Sequence, residues 1–258
     1  MTVGPSSVGL DVPARALAVG AHPDDVEFGA GATLAGWAAA GCEVSVAICT
    51  DGSKGTWDAS ADLASLVATR QEEARAAARA LGATGQVVFL GRVDGDLEND
   101  RPTRSELARW IRMLRPDVLV GHDPWQRYRL HPDHRAAGFL TCDALVAARD
   151  PHFFPEHGVA HHRPRALLLF EADEPDHAEP VGDVAVDAKL AALESHRSQY
   201  ESTMFIGGAT DGVKGAASGG AAVEQERFRG DVRAQLAEAG RWAGVDHAER
   251  YRLVPTDR

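Results

Sequence analysis

The sequence predicts an α/β protein with a Rossmann-like, mostly parallel sheet and helices on both faces. Two observations predict this class. Short apolar runs typical of buried strands recur along the first two thirds of the chain, and longer helical segments rich in Ala, Arg and Glu separate them. This alternation favours parallel strands, because each helix returns the chain across one face of the sheet. No internal repeat or linker interrupts the 258 residues, so we expect a single domain over residues 1–258.

The first half of the chain alternates strand and helix three times. Residues 16–21 form a short apolar run, and residues 26–40 place large apolar side chains among small ones, as in a helix packed closely on a sheet. Gly82 follows an Ala-rich helical segment at 62–81 and suits its C-terminus, since glycine readily adopts the left-handed conformation found there. The other elements predicted here are strands at 43–49 and 87–90 and a helix over 104–114.

The second half continues the alternation and adds a glycine-rich stretch. A predicted strand at 117–121 stops at His122-Asp123, and Pro132 opens a helix over 132–149, where its missing N–H costs nothing. Residues 206–222 hold six glycines in seventeen positions, so we expect a lid or a disordered loop there. The remaining predictions are strands at 166–170, 184–186 (weaker) and 251–254, and helices over 188–200 and 224–242.

Composition and charge narrow the possible functions. The formal net charge of -11 argues against a nucleic-acid partner or an anionic membrane surface. The three cysteines show no metal-ligand spacing, which is typical of reduced residues in a cytoplasmic protein. Residues 1–13 lack the features of a signal peptide, and no apolar run approaches the roughly 20 residues that span a bilayer. We therefore expect a cytoplasmic protein without membrane insertion, and the sequence leaves open a homo-oligomer.

Two clusters of potential metal ligands follow predicted strands. His22, Asp24 and Asp25 come directly after the first strand, where ligands bind in an open α/β sheet. His131 and His134 lie three residues apart at a predicted helix start, so both can face one direction. A hydrolytic zinc site needs three N or O ligands and one open position, and these clusters can supply them. Capping and surface roles are the alternative for each cluster alone. The residues by themselves do not decide which of the two aspartates is the ligand.

These motifs carry a resemblance to a known family. Ala21-His-Pro-Asp-Asp25, Arg70-Gln-Glu-Glu73 and Leu130-His-Pro-Asp-His-Arg135 resemble the LmbE-like / PIG-L family, with His196-Arg-Ser-Gln199 as a weaker match. Members of the family are zinc-dependent de-N-acetylases, which include the N-acetylglucosaminyl-phosphatidylinositol deacetylases and the mycothiol-pathway deacetylase. The resemblance covers about residues 15–200 and implies the LmbE-like fold.

The resemblance also implies a role for individual residues. It implies Zn²⁺ as the cofactor and Asp24 as the general base. His131, if protonated, would lie beside the tetrahedral oxyanion and stabilise it. Asp133 would orient His131 and raise its pKa, or would be an ordinary first-turn carboxylate. The implied zinc ligands are His22, Asp25 and His134, and the implied substrate-binding residues are Arg70, Asp94 and Tyr128. His and carboxylate ligands would also accept iron, cobalt or nickel, so another divalent metal stays open.

The predicted function is removal of an N-acetyl or other N-acyl group from a small amino-sugar conjugate. An amidase that cleaves a larger acyl group or a thiol conjugate is one alternative, and a metal-binding relative without catalysis is another. A nucleotide-binding doubly wound domain is disfavoured, because the first strand-to-helix turn is acidic and no Gly-x-Gly-x-x-Gly follows a strand.

Overall fold

The structure is a computed structural model and describes residues 4–207 and 220–256. Its strands are β1 (Ser7–Val8), β2 (Arg15–Gly20), β3 (Glu43–Thr50), β4 (Val87–Arg92), β5 (Val118–His122), β6 (Ala166–Phe170), β7 (His177–Pro180) and β8 (Ala248–Pro255). Its α-helices are α1 (Asp25–Ala39), α2 (Leu63–Ala80), α3 (Arg101–Leu114), α4 (Pro132–Arg149), α5 (Asp183–Leu193) and α6 (Ala221–Ala243). Short 3₁₀ turns lie at Pro155–His157 and Arg197–Gln199.

The strands form one eight-stranded sheet in the order β1-β7-β8-β6-β5-β2-β3-β4. Strands β4, β3, β2, β5 and β6 pair in parallel, and β8 is antiparallel to both of its neighbours. The chain moves outward from β2 through β3 and β4 on one side, and returns to pair β5 with β2 on the other. The junction of β2 and β5 is therefore the topological switch point, where α/β proteins bind their ligands.

Alternate residues of the buried strands supply two hydrophobic cores, one on each face of the sheet. In β2, Ala16 and Ala18 belong to the core under α1, α2, α5 and α6. Leu17 and Val19 belong to the core under α3 and α4. This alternation follows from the two-residue period of a strand. Because helices cover both faces of the sheet, every residue of β2 from 16 to 19 needs an apolar side chain, and the sequence of the strand is continuously apolar. The prediction of an α/β sheet with helices on both faces is confirmed.

The structure differs from the sequence prediction in three places. Residues 184–186, predicted as a weak strand, belong to α5, whose buried positions Ala185, Val186, Lys189 and Leu190 follow a helical period. The helix predicted over 188–200 ends at Leu193 and gives way to the 3₁₀ turn. Strands β1 and β7 were not predicted, because β1 spans only two residues and β7 carries His, Glu and Pro among its four. Most of the glycine-rich stretch, residues 208–219, lies outside the described residues.

Among residues 4–207 and 220–256, no helix combines the length and apolar character needed to cross a membrane.

Candidate metal centre and active site

The turn between β2 and α1 holds the first ligand cluster at the switch point. The backbone N–H of His22 donates to Asp25 Oδ2 at 2.7 Å, which ties the two ends of the turn together. Asp24 lies between them with a φ of 108°, a left-handed conformation that is rare for residues other than glycine. Strained backbone of this kind is found disproportionately at functional sites. All three side chains are buried.

His22, Asp25 and His134 bring three ligand atoms to within 4.8 Å of one another. His22 Nδ1 lies 3.3 Å from Asp25 Oδ2, and His134 Nε2 lies 3.3 Å from Asp25 Oδ1. Two imidazoles and one carboxylate are a donor set that suits a catalytic zinc site with an open fourth position. The residues implied as metal ligands therefore fit that role in both chemistry and proximity.

Asp133 supports the centre through His22, which differs from the expected arrangement. Its Oδ2 lies 3.0 Å from His22 Nε2, and Asp94 Oδ1 lies 3.2 Å from the same nitrogen. Asp133 also accepts the backbone N–H groups of Gly95 at 2.6 Å and Leu97 at 3.1 Å. The contact with His131 is made instead by the backbone N–H of Asp133, which donates to His131 Nδ1 at 3.3 Å. The expectation that the Asp133 carboxylate orients His131 is thus corrected: it holds His22.

The carboxylate of Asp133 is well placed to fix the tautomer of His22. The Asp133 carboxylate contacts His22 Nε2, so His22 Nδ1 is the nitrogen that faces Asp25. Hydrogen bonds from His22, Gly95 and Leu97 outweigh the burial of Asp133 and lower its pKa to about 2. Metal-bound histidines commonly donate their second N–H to such a carboxylate.

His131 lies at the exposed rim, directly above the candidate ligands. Its ring packs edge-on against His22 at 4.6 Å between centroids and stacks on His134 at 4.9 Å. Burial of part of the ring lowers the pKa of His131, and the neighbouring His22 lowers it further, although Asp133 acts in the opposite direction. The raising effect expected of Asp133 is therefore present, but burial and His22 outweigh it and the pKa of His131 is lowered.

Asp24 is buried beside Arg70, and the two residues form the floor of the site. Burial raises the pKa of the Asp24 carboxyl, while the Arg70 guanidinium, 3.6 Å away, lowers it. Arg70 donates to the carbonyls of Pro23 at 2.7 Å and Gly52 at 2.8 Å. Its side chain thus links the turn after β2 to the loop after β3, in addition to facing the cavity.

His122 belongs to this centre and was missed as a site residue. It is fully buried at the end of β5, with Nε2 3.2 Å from Asp25 Oδ2 and Nδ1 3.1 Å from Glu171 Oε2. Its ring stacks on His134 at 4.5 Å. The sequence placed His122 at the end of β5, but its proximity to the turn after β2 follows only from the pairing of β5 with β2, which the structure shows.

The loop before His131 places Arg129, and not Tyr128, in the site. Tyr128 has a φ of 59° and is 95% exposed, so the structure does not bring it to the other predicted residues. Arg129 is buried, with Nη2 2.8 Å from Glu171 and Nη1 3.1 Å from His122 Nδ1. The loop therefore contributes the Arg129 guanidinium, which contacts His122 and Glu171, whereas the resemblance implied that Tyr128 would bind the substrate.

A cavity of about 490 Å³ opens over these residues. Its size is in the range of small-molecule sites. Of the nine predicted site residues, Asp133 and Tyr128 are not part of its wall. The lining comprises His22, Asp24, Asp25, Phe28, Lys54, Gly55, Arg70, Asp94, Gly95, His131, His134, Glu171, Gln199 and Thr203.

Comparison with known proteins identifies the family of this chain. The family model described as PIG-L, GlcNAc-PI de-N-acetylase, matches residues 17–145. The chain is 33% identical to diacetylchitobiose deacetylase from Thermococcus kodakarensis, over 72% of this chain and 70% of that protein. It is 35% identical to 1D-myo-inositol 2-acetamido-2-deoxy-alpha-D-glucopyranoside deacetylase from Streptomyces scabiei, over 72% and 76% of the two chains.

A solved structure agrees in fold as well. The N,N'-diacetylchitobiose deacetylase from Pyrococcus horikoshii superimposes with a TM-score of 0.79 and 28% sequence identity, covering 94% of this chain and 84% of the other. The family match spans the turn after β2, the end of β5 and the start of α4, which are the three elements that build the centre. The chain therefore belongs to the PIG-L (LmbE-like) family.

Proposed function

We propose that this protein is a zinc-dependent N-deacetylase that hydrolyses the acetamido group of an amino-sugar conjugate. The observation that carries the proposal is the buried set of His22, Asp25 and His134, which faces a cavity that also contains a separate carboxylate, Asp24. When bound by these three residues, zinc supplies a water of lowered pKa and polarises the amide carbonyl. The names of the relatives support the amino-sugar substrate.

Asp24 is the general base in this proposal. It is the carboxylate of the turn that the three-ligand set does not use, and it is buried in the cavity wall. Asp24 takes the proton of the attacking water and returns it to the amine as the carbon–nitrogen bond breaks. Arg70, whose guanidinium hydrogen bonds to the carbonyl of Pro23, keeps this carboxylate in place.

His131 stabilises the tetrahedral intermediate. It is the exposed imidazole of the rim, and its stacking on His134 fixes the ring near the ligand set. A donor at this position typically contributes about 3–4 kcal/mol to the transition state. Its Nδ1 accepts the backbone N–H of Asp133, so Nε2 is the nitrogen left to face the reacting carbonyl.

The sugar is held on the side of the cavity formed by Asp94 and Arg70. Asp94 accepts the backbone N–H of Lys54 through Oδ2, which fixes the carboxylate at the wall of the cavity. A fixed carboxylate of this kind accepts hydroxyl hydrogen bonds and rejects analogues that lack the hydroxyl. Tyr128 has no role in this proposal, because its side chain points into solvent.

Two variants of the adjacent aspartates test the proposal. Zinc content and acetate release from N,N'-diacetylchitobiose are measured for the wild type, Asp24→Asn and Asp25→Ala. Asp24→Asn should keep the metal and lose most turnover, because an amide cannot take a proton from water. Asp25→Ala should lose zinc itself. Equal loss of zinc in both variants would refute the division of roles.

Measurements on further substrates separate the alternatives. A metal-binding relative without catalysis would hold zinc and release no acyl group from any substrate. An amidase for larger acyl groups would release a longer acid faster than acetate from matched N-acyl glucosamines. The proposal requires the acetyl substrate to be preferred.

A further inference from the structure

A buried series of polar contacts runs from Asp25 through His122 to Arg129, and the proposed hydrolysis gives the last two residues no role. His122 Nε2 lies 3.2 Å from Asp25 Oδ2, and Arg129 Nη1 lies 3.1 Å from His122 Nδ1. Arg129 Nη2 also contacts Glu171 at 2.8 Å. The contacts end on Asp25, one of the proposed metal ligands, so their chemistry affects how that carboxylate is presented.

The ring of His122 is held in one orientation. It is fully buried at the end of β5, stacks on the ring of His134 at 4.5 Å between centroids, and meets the ring of Phe170 at the same distance. A fully buried ring with two such neighbours cannot turn without displacing one of them. Packing therefore fixes the directions in which Nδ1 and Nε2 point.

The neighbours of His122 decide which of its ring nitrogens carries the proton. The guanidinium of Arg129 can only donate, so it takes Nδ1 as an acceptor. Glu171 Oε2 lies 3.1 Å from the same Nδ1, but it is closer to Arg129 Nη2. A neutral imidazole then carries its proton on Nε2, where the carboxylate of Asp25 accepts it. A competing contact from the backbone N–H of Ala21 to Nε2 is longer, at 3.4 Å.

The two oxygens of Asp25 have different neighbours as a result. Oδ2 accepts the backbone N–H of His22 at 2.7 Å in addition to the N–H of His122. Each carboxylate oxygen has two lone pairs, so these two donors use the capacity of Oδ2. Oδ1 lies 3.3 Å from Nε2 of His134, another proposed ligand, and is therefore the oxygen left for the metal.

We propose that His122 is a positioning residue that makes Asp25 a one-oxygen ligand of the metal, through Oδ1. A catalytic zinc site with three protein ligands keeps one position for water, and a carboxylate that bound through both oxygens would compete for that position. Partners outside the ligand set commonly orient the ligands of a metal in this way. The inference rests on the proposed metal centre, and it gives His122 a task separate from that of Asp133, which contacts His22.

The proposal does not make His122 a metal ligand. His122, His134 and Glu171 bring ligand atoms within 4.8 Å of one another, so by proximity alone they could hold a second ion. The guanidinium of Arg129 contacts both His122 and Glu171, and its positive charge opposes a second cation there. We therefore expect one ion per chain.

Replacement of His122 by leucine tests the proposal on the full chain loaded with zinc or with cobalt. Leucine cannot donate a hydrogen bond, so Asp25 becomes free to bind through both oxygens while the ion stays. We expect one zinc ion per chain and a weaker visible absorption of bound Co²⁺, because five-coordinate cobalt absorbs less than four-coordinate cobalt. The kcat for N,N'-diacetylchitobiose should fall by roughly 10- to 100-fold with little change in KM. His122→Gln keeps a donor and should restore the wild-type spectrum and most of kcat.

His177→Leu is the matched control. His177 is also fully buried, and its Nε2 lies 2.7 Å from the carboxylate of Glu179, but it belongs to β7, which two strands separate from β5. This variant should lose stability and keep the wild-type cobalt spectrum and kcat. A wild-type spectrum in His122→Leu overturns the proposal. A second zinc ion per chain that is lost in His122→Leu also overturns it, because His122 would then be a ligand.

A measurement on the wild type covers the case in which His122→Leu does not fold. Nitrogen NMR of the isotope-labelled, zinc-loaded protein should show His122 protonated at Nε2, and a ring without a proton on Nε2 overturns the proposal. A failure of the proposed function has a different signature. A wild type that binds cobalt but releases no acetate still gives the spectral comparison with His122→Leu, whereas a wild type that binds no metal overturns both proposals.

Discussion

Replacing Asp133 by asparagine tests whether this buried carboxylate sets the metal affinity of the centre. Asp133 is fully buried, and its two oxygens accept from His22 Nε2 and from the backbone N–H groups of Gly95 and Leu97. Asparagine has the same shape but only one acceptor oxygen, so one of these donors would face an amide N–H. Loss of such an outer partner typically weakens metal affinity by about 10- to 100-fold.

The complete truncation, Asp133→Ala, should also destabilise the fold. It leaves three donors without their acceptor, each at a cost of about 1–3 kcal/mol when buried. We therefore expect the free energy of unfolding of the metal-free protein to fall by about 3–5 kcal/mol. The asparagine variant should lose clearly less, since its remaining oxygen at the Oδ2 position still accepts from His22 and Gly95.

Zinc competition with a chromogenic chelator and denaturant titration of the metal-free protein measure the two effects. Asp143→Asn on the same helix is the control, because Asp143 accepts from the side chains of Asn99 and Arg104 at a more exposed position. It should leave zinc affinity unchanged. If Asp133→Asn binds zinc as tightly as the wild type, Asp133 does not act through His22 and the reasoning is wrong.

Three further predictions follow from the geometry of the site and of α6. Gly55→Ala should displace Arg70 and reduce kcat, because the added Cβ would overlap Arg70 Nη1, whereas Gly36→Ala, with open space around it, should not alter kinetics. Chelation should abolish activity, and zinc at about 100 times its Kd should then raise the free energy of unfolding by about 2.7 kcal/mol, measured by thermal or denaturant unfolding. The Arg229 guanidinium holds the pKa of Glu194 below its usual value of 4.5. The ion pair between Arg229 and Glu194 therefore stabilises the protein above about pH 4.5, and this contribution is lost as the pH falls through the lowered pKa of Glu194. Glu194→Gln removes the titrating carboxyl, so the free energy of unfolding of this variant should depend less on pH in the acid range.

The sequence predicted the parts of the site that depend on local pattern. An apolar run fixes where β2 ends, so the pattern alone places His22, Asp24 and Asp25 at the carboxyl edge of the sheet. Pro132 marks the start of α4, which places His134 in the first turn of the helix. The fold class followed from the same signals, since alternation of strand and helix leaves few topologies other than a parallel sheet.

The sequence could not predict which side chains would meet across the sheet. Asp133 was expected to serve His131, its neighbour in sequence, yet its carboxylate turns to His22, 111 residues away. Tyr128 was expected near the reacting group, but a left-handed backbone directs it outward and leaves Arg129 inside. Both outcomes depend on side-chain direction within a loop, which hydrophobic periodicity does not encode.

The position of His122 in the site could have been predicted if the strand order had been considered. Strand β5 was predicted to stop at His122, and the chain alone did not show that β5 pairs with β2 and not with β4. Once β5 adjoins β2, the last residue of β5 must lie beside the turn that carries Asp25, because parallel strands end at one edge of the sheet. The pairing of β5 with β6 likewise brings His122 close to Glu171, which follows β6, and the structure shows contacts of His122 with both Asp25 and Glu171. Enumerating the possible strand orders, and asking which strand ends become neighbours in each, would therefore recover buried supporting residues that belong to no motif.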